Sequence, residues 1–374
     1  FPYLAVPLFV LAGMLMETGG ISKRIVELSN SMVGHIRGGL GMVVMVATIF
    51  FSDISGSSAA DTAAIGSIMI PTMKKRGYAP NFSAALVTAA GGMGVLIPPC
   101  LTMVVFGSLT NTSIGALFLA GFVPGISMGI ILMVLTYVIA RKNNFPREER
   151  ATFGQFLRAS KRATLSLFMG VIILGGILLG IFTATEAAAV AVIYGFFLSV
   201  VFYREIKLSQ LPKILWDASV VSGVVMLVVG ISYGFGWVMA KEQIPVKLAN
   251  FMLTLPGGKL VFLLAVNVLL LIMGMFFDAS LSVVILVPIL FPVAVKLGVD
   301  PVHFGTFVVM NLGIGFTTPP YGISLFIASG IAKVPMSSII KPILPYILTM
   351  IGFLLVVTYV PWFSLLLPKL LMGY

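Results

Sequence analysis

One unit occurs twice in this chain. Residues 71 to 124 and 292 to 345 align without a gap at a constant offset of 221, pairing Pro71 with Pro292, Lys75 with Lys296, Gly77 with Gly298, Pro80 with Pro301 and Pro124 with Pro345. At the centre, GMGVLIPP (Gly92 to Pro99) falls on GIGFTTPP (Gly313 to Pro320). Proline lacks an amide donor and restricts the residue before it, so each copy must break a helix at Gly-x-Gly-x-x-x-Pro-Pro. Upstream, both copies follow an apolar stretch interrupted by small polar residues, FFSDISGSSAADT (Phe50 to Thr62) and MFFDASLS (Met275 to Ser282). Two interruptions at corresponding places of a duplicated apolar unit point to the core of a transporter.

The solvent of this fold is lipid. With 59% apolar and 9% charged residues and a mean hydropathy of +1.12, the chain cannot cover a water-facing surface with polar groups. The net charge of +11 does not indicate nucleic acid, because the basic residues sit between apolar spans, as membrane orientation requires. Cys100 is the one cysteine and excludes an internal disulfide, while His35 and His303 are too few and too separated for a metal site. The chain has no initiator Met and opens inside an apolar run, Pro2 to Met16, so natural sequence is expected before it, one or two spans long.

About 20 apolar residues cross a bilayer. That length predicts full spans at 3 to 16, 117 to 140, 161 to 182, 184 to 203, 214 to 239 and 343 to 367, with amphipathic arms at 21 to 36 and 243 to 255. The shorter pieces 39 to 54 and 57 to 73, joined by Ser-Gly-Ser-Ser, read as a re-entrant hairpin; 259 to 276 and 281 to 297 read as its counterpart. Five crossings separate the hairpins, an odd number, so the two copies are expected to enter from opposite faces as inverted repeats. Eighteen Lys and Arg then fall on the face of the first hairpin's ends and five on the other, making the first face cytoplasmic.

The predicted fold is thus an all-α polytopic membrane protein. Its expected parts are a scaffold span and arm (1–38), a first core repeat (39–116, hairpin 39–73, broken helix 82–111) and further scaffold (117–256). A second core repeat (257–335, hairpin 259–297, broken helix 302–331) and a C-terminal span (336–374) complete it.

Unwound backbone at membrane depth survives only inside protein or around a polar cavity. Free carbonyls at the ends of incoming half-helices suit a hard cation such as Na⁺, and the N-termini of outgoing half-helices suit an anion. The candidate for a first cation site is Ser55, Gly56, Ser57 and Ser58 against Gly92, Gly94 and Pro98. Its mirror is Asp278 and Ser280 against Gly313, Gly315, Thr317 and Thr318. Asp61, Asn311, Pro99 and Pro320 are candidate substrate contacts. Carboxylates in apolar surroundings are functional candidates by default, although Asp53 and Asp61 fit equally well as partners of hairpin amides. Asn311 fits either a site or a helix–helix hydrogen bond. Glu186 and Asp217 lie near span ends, where interfacial and capping roles are usual, and His303 reads as a first-turn residue.

At these residues the chain resembles the large membrane subunit of tripartite ATP-independent periplasmic (TRAP) transporters. The motifs are PLFVLAGMLMETGGI (Pro7 to Ile21), FSDISGSSAADTAAIGSIMIP (Phe51 to Pro71), SIGALFLAGFVPG (Ser113 to Gly125) and GIGFTTPPYG (Gly313 to Gly322). The resemblance implies a bacterial inner-membrane symporter driven by Na⁺, with a small four-helix membrane subunit and a periplasmic substrate-binding protein as partners. It also implies an elevator-type mechanism and a carboxylate substrate such as a C4-dicarboxylate, sialic acid or another acidic sugar. No Walker-type loop is present to use ATP. The alternatives are a stand-alone anion symporter and an ion channel with the hairpins as filter. A membrane-embedded enzyme lacks a metal motif and a convincing Ser/His/Asp set.

Overall fold

The computed structural model describes residues 2–143, 145–254 and 257–373, and among these there is no strand. After a 3-10 turn, α1 (Ala5–Thr18) bends by 68° into α2 (Ile21–Val33). The apolar face of α2 buries Ile21, Ile25 and Leu28, while Lys23 and Glu27 stay on the other side. The first hairpin is α3 (Gly39–Ser55) and α4 (Ser58–Lys75). The first broken helix follows as α5 (Pro80–Gly94) and α6 (Leu101–Thr110). Four long segments come next: α7 (Ile114–Lys142), α8 (Phe153–Leu178), α9 (Ala184–Phe196) continued by a π turn, and α10 (Leu211–Lys241). A short α11 (Ile244–Thr254) precedes the second hairpin, α12 (Gly258–Phe276) and α13 (Ala279–Lys296). The second broken helix is α14 (Pro301–Gly315) and α15 (Ile323–Ala332), and the chain closes with α16 (Met336–Tyr359) and α17 (Trp362–Met372).

Among the described residues, seven helices are long and apolar enough to cross a bilayer, so this is a multi-pass, all-α membrane protein. Two elements differ from the expected spans. The helix expected from 161 starts at Phe153, because Thr152 and Gln155 form a reciprocal capping box that extends it by two polar turns. The apolar run 343 to 367 is two helices, since Pro361 interrupts the backbone ladder between Tyr359 and Trp362. Glu186 has the capping role: its carboxylate accepts from Thr183 N at 2.8 Å, and Thr183 Oγ1 accepts from Glu186 N at 3.3 Å.

The two copies interlock. The second limb of each hairpin packs against the outgoing half-helix of the other copy, α4 on α15 and α13 on α6. Likewise α5 lies on α16 and α14 on α7. From Phe82 and Val302 onward, α5 and α14 are buried on every side, which explains why neither shows an amphipathic stripe. They cross where they break. A Cβ at Gly92 would stand 2.7 Å from the carbonyl oxygen of Gly313, and one at Gly313 would stand 2.6 Å from that of Gly92. Only residues without a side chain permit that approach. Around this body α1 packs on α9 and α10, while α2 and α3 both touch α8.

Candidate functional site

Each hairpin tip is tied by a hydrogen bond to the corresponding position of its own broken helix. Gly56 turns the first tip with φ of +62°, and its carbonyl accepts from Leu101 N at 3.4 Å. In the second copy, Gly322 N donates to Met275 O at 3.1 Å, and Gly322 is the counterpart of Leu101 at the offset of the repeat. Ser57 caps α4 and its counterpart Asp278 caps α13, accepting from Ser280 N at 2.8 Å. The breaks close alike too. Ile97 N donates to Gly94 O and Thr318 N to Gly315 O, both at 2.9 Å. Pro98–Pro99 and Pro319–Pro320 are both cis. Among the described residues no hydrogen bond ends on the carbonyls of these four prolines, which leaves oxygen donors available beside each tip.

The first copy carries a carboxylate that the second lacks. Asp61, in the first turn of α4, is 1% exposed and accepts hydrogen bonds from Ser52 and Ser55 of α3. Its carboxylate lies against Gly94, where a Cβ would overlap both Asp61 and Ser52. Ser282 occupies the equivalent place in α13, its hydroxyl buried and without a hydrogen-bond partner among the described residues. The two sites are therefore chemically unequal. Among the described residues no ion pair reaches Asp61.

A cleft of about 280 Å³ opens between the tips. Ser57 and Ser58 from α4, Leu101 and Thr102 from α6, and Asp278 and Ser280 from α13 line it, with Val221 and Val224 of α10 along one side. Three helix N-termini thus converge on one space, an arrangement whose amide dipoles favour an anion. A second cavity of about 170 Å³ lies on the other side of the first tip, where Gly13 and Glu17 of α1 face Ser55, Ser57 and Pro99. Gly56, Ser57 and Leu101 border both cavities, so the first tip is a partition. Across the repeats, Ser58 and Ser324 share a buried hydrogen bond of 2.9 Å.

The structure distributes the sequence-predicted residues over several places. Ser55, Gly56, Ser57, Ser58, Gly94 and Pro98 gather at the first tip and break, and Gly92 lies at the crossing with Gly313. Asp278 and Ser280 face the inter-tip cleft. Thr317 and Thr318 instead donate to Ile314 O at 2.7 and 2.8 Å, and Thr317 turns its methyl to Gly92. Gly315 packs on Gly274 of the hairpin limb. Of the substrate candidates, Asp61 lies inside the first hairpin, Pro99 borders the Glu17 cavity and Pro320 is exposed at the second break. Asn311 takes the helix–helix role, its amide donating to Asn267 at 2.7 Å and to Phe307 O at 2.8 Å. Asn267 continues to Thr358, and His303 joins Thr358 O at 3.0 Å and Ser364 at 2.6 Å, so a first-turn histidine ties α14 to α16 and α17. Asp53 points away from the tip onto Gly170 of α8. Sequence reasoning missed Glu17, Ser52 and Ser324. Glu17 carried a signal, as an acidic residue closing an otherwise apolar span.

Comparison with known proteins bears on this architecture. The chain is 43% identical over 369 residues to the C4-dicarboxylate TRAP transporter large permease protein DctM of Pseudomonas aeruginosa, covering 99% of this chain and 86% of that one. It is 42% identical over 375 residues to the sialic acid TRAP transporter large permease protein SiaM of Vibrio cholerae, covering 100% and 88%. Its fold is that of the crystal structure of the YdaH transporter of Alcanivorax borkumensis, with a TM-score of 0.63 over 96% of this chain and 84% of that one, at 18% identity. The model of the family described as tripartite ATP-independent periplasmic transporter, DctM component, matches residues 1–363, and the chain belongs to that family of transporter subunits.

Proposed function

We propose that this subunit imports a carboxylate across the bacterial inner membrane by symport with Na⁺. The observation that carries the reading is the inter-tip cleft: three helix N-termini open onto a space bordered by the tip that also bounds the Asp61 site. A carboxylate substrate suits those N-termini. The names of the relatives from P. aeruginosa and V. cholerae support C4-dicarboxylates and sialic acid as the substrate classes to try first. The first Na⁺ is held by Asp61, Ser52 and Ser55 with carbonyls of the adjoining break, a hard-oxygen set of the kind such ions take. The second uses the second tip and break, with Asp278 as its charge.

In this reading the two copies are inverted about an axis in the membrane plane, and hairpins and broken helices travel as one elevator body against α1, α8, α9 and α10. A periplasmic binding protein delivers the substrate and a small four-helix membrane subunit enlarges the scaffold. Energetically the gradient suffices. For two Na⁺ with a monoanion, one net charge crossing about 100 mV plus a tenfold Na⁺ gradient supplies roughly 5 kcal/mol, enough for accumulation on the order of a thousandfold.

The test is uptake of labelled acids into proteoliposomes holding both membrane subunits, with and without Na⁺ and the binding protein. Uptake requiring both supports the proposal. Transport of free substrate without the binding protein favours a stand-alone symporter, uptake indifferent to Na⁺ removes the coupling, and single-channel currents remove the carrier.

A further inference from the structure

The elbow between α1 and α2 holds a charged cleft that the transport reading leaves unused. It has a volume of about 360 Å³ and lies where the start of α2 meets α8 and the segment after the π turn. Arg24 is fixed within it, donating to Gly20 O at 2.7 Å, meeting Glu205 at 3.3 Å and stacking 3.7 Å above the Tyr203 ring. Arg162 faces Glu27 at 3.6 Å. Lys23 and Lys161 line the same cleft and have no acidic partner among the described residues. Four basic side chains against two acidic ones leave a surplus of two positive charges.

One wall of the cleft is apolar and continues outward. Leu165 lines it, and Phe168 and Val171 extend the same stripe of α8 at three-residue spacing, 49% and 60% exposed. A free anion would need only the charges. The stripe adds a track for an acyl chain, and basic pockets between membrane helices are known to take acidic lipid headgroups. We propose that this cleft binds an anionic phospholipid, its phosphate between Lys23 and Lys161 and one acyl chain along Leu165, Phe168 and Val171. The lipid braces the elbow from which α2 runs to the first hairpin.

The test is native mass spectrometry of the purified protein, with any membrane subunit that co-purifies. It is titrated with phosphatidylglycerol, with phosphatidylethanolamine of the same chains, and with inorganic phosphate. Retention of phosphatidylglycerol about thirtyfold tighter than phosphatidylethanolamine is expected, the effect of two basic side chains at an acidic headgroup. Lys23→Gln with Lys161→Gln should bring the two lipids level, while Lys161→Arg keeps the preference. Equal retention of both lipids by the unaltered protein overturns the proposal without need of a variant. So does an unchanged preference in the double variant, and displacement of the lipid by millimolar phosphate would show a free-anion site instead.

Discussion

Asp61 concentrates the chemistry of the first hairpin in one carboxylate. It is buried, faces two hydroxyls and Gly94, and has no basic partner among the described residues, so a bound cation is the natural complement to its charge in the proposed symport. Asp61→Asn keeps the shape and removes that charge. Na⁺ stimulation of uptake should vanish while the protein still purifies as a monodisperse species; a Na⁺ titration of uptake rate decides, and an unchanged half-saturation concentration would take Asp61 out of the site. Glu17 lines the cavity beside the first tip, and in the proposed symport it is a second negative charge on the approach to Asp61. Glu17→Gln should raise the Na⁺ half-saturation about fivefold, the equivalent of roughly 1 kcal/mol across a partly hydrated space, with saturated uptake preserved. Asp278 allows a cleaner substitution still. Asn caps a helix about as well as Asp, so Asp278→Asn retains the bond to Ser280 N and isolates the charge. Weaker Na⁺ dependence at unchanged thermal stability is the expected outcome.

The broken helices act as elements through their crossing. Gly92 and Gly313 each bring a carbonyl oxygen to where the other's Cβ would sit, so Gly92→Ala or Gly313→Ala must push α5 and α14 apart. Overpacking of this kind costs about 1 to 3 kcal/mol. A lowered melting temperature and abolished uptake should appear together, and wild-type uptake in either variant would show that the crossing is not needed. The positions of these breaks were legible in the sequence, because proline and glycine act locally on the backbone they occupy. The interlock of α4 with α15 and α13 with α6 was not, since a contact between halves of the chain leaves no local mark. Helix facing escaped for the same reason. Asp61 turns inward to Ser52 and Asp53 turns outward to Gly170, a distinction set by neighbours and not by the run of letters around them. Pro361 was hidden differently, inside an apolar stretch long enough to pass for one span.

At the scale of the molecule, the proposed elevator needs a surface along which the core slides on the scaffold, and the contact of α3 with α8 is the candidate for it. Asp53 of α3 lies directly over Gly170 of α8, where a Cβ would overlap its carboxylate. No hydrogen bond among the described residues holds that carboxylate in place, so it can leave Gly170 without breaking one. Gly170→Ala should therefore obstruct the passage, and Asp53→Ala in the same chain should relieve the obstruction, giving a non-additive pair in a double-mutant cycle. The discriminating measurement compares uptake at saturating substrate with the melting temperature across the four proteins. A packing contact that never moves would change the two in step. A sliding contact would lower the transport rate of Gly170→Ala well beyond its loss of stability, because the new methyl must be cleared in every cycle, and the second substitution would restore the rate more fully than the melting temperature.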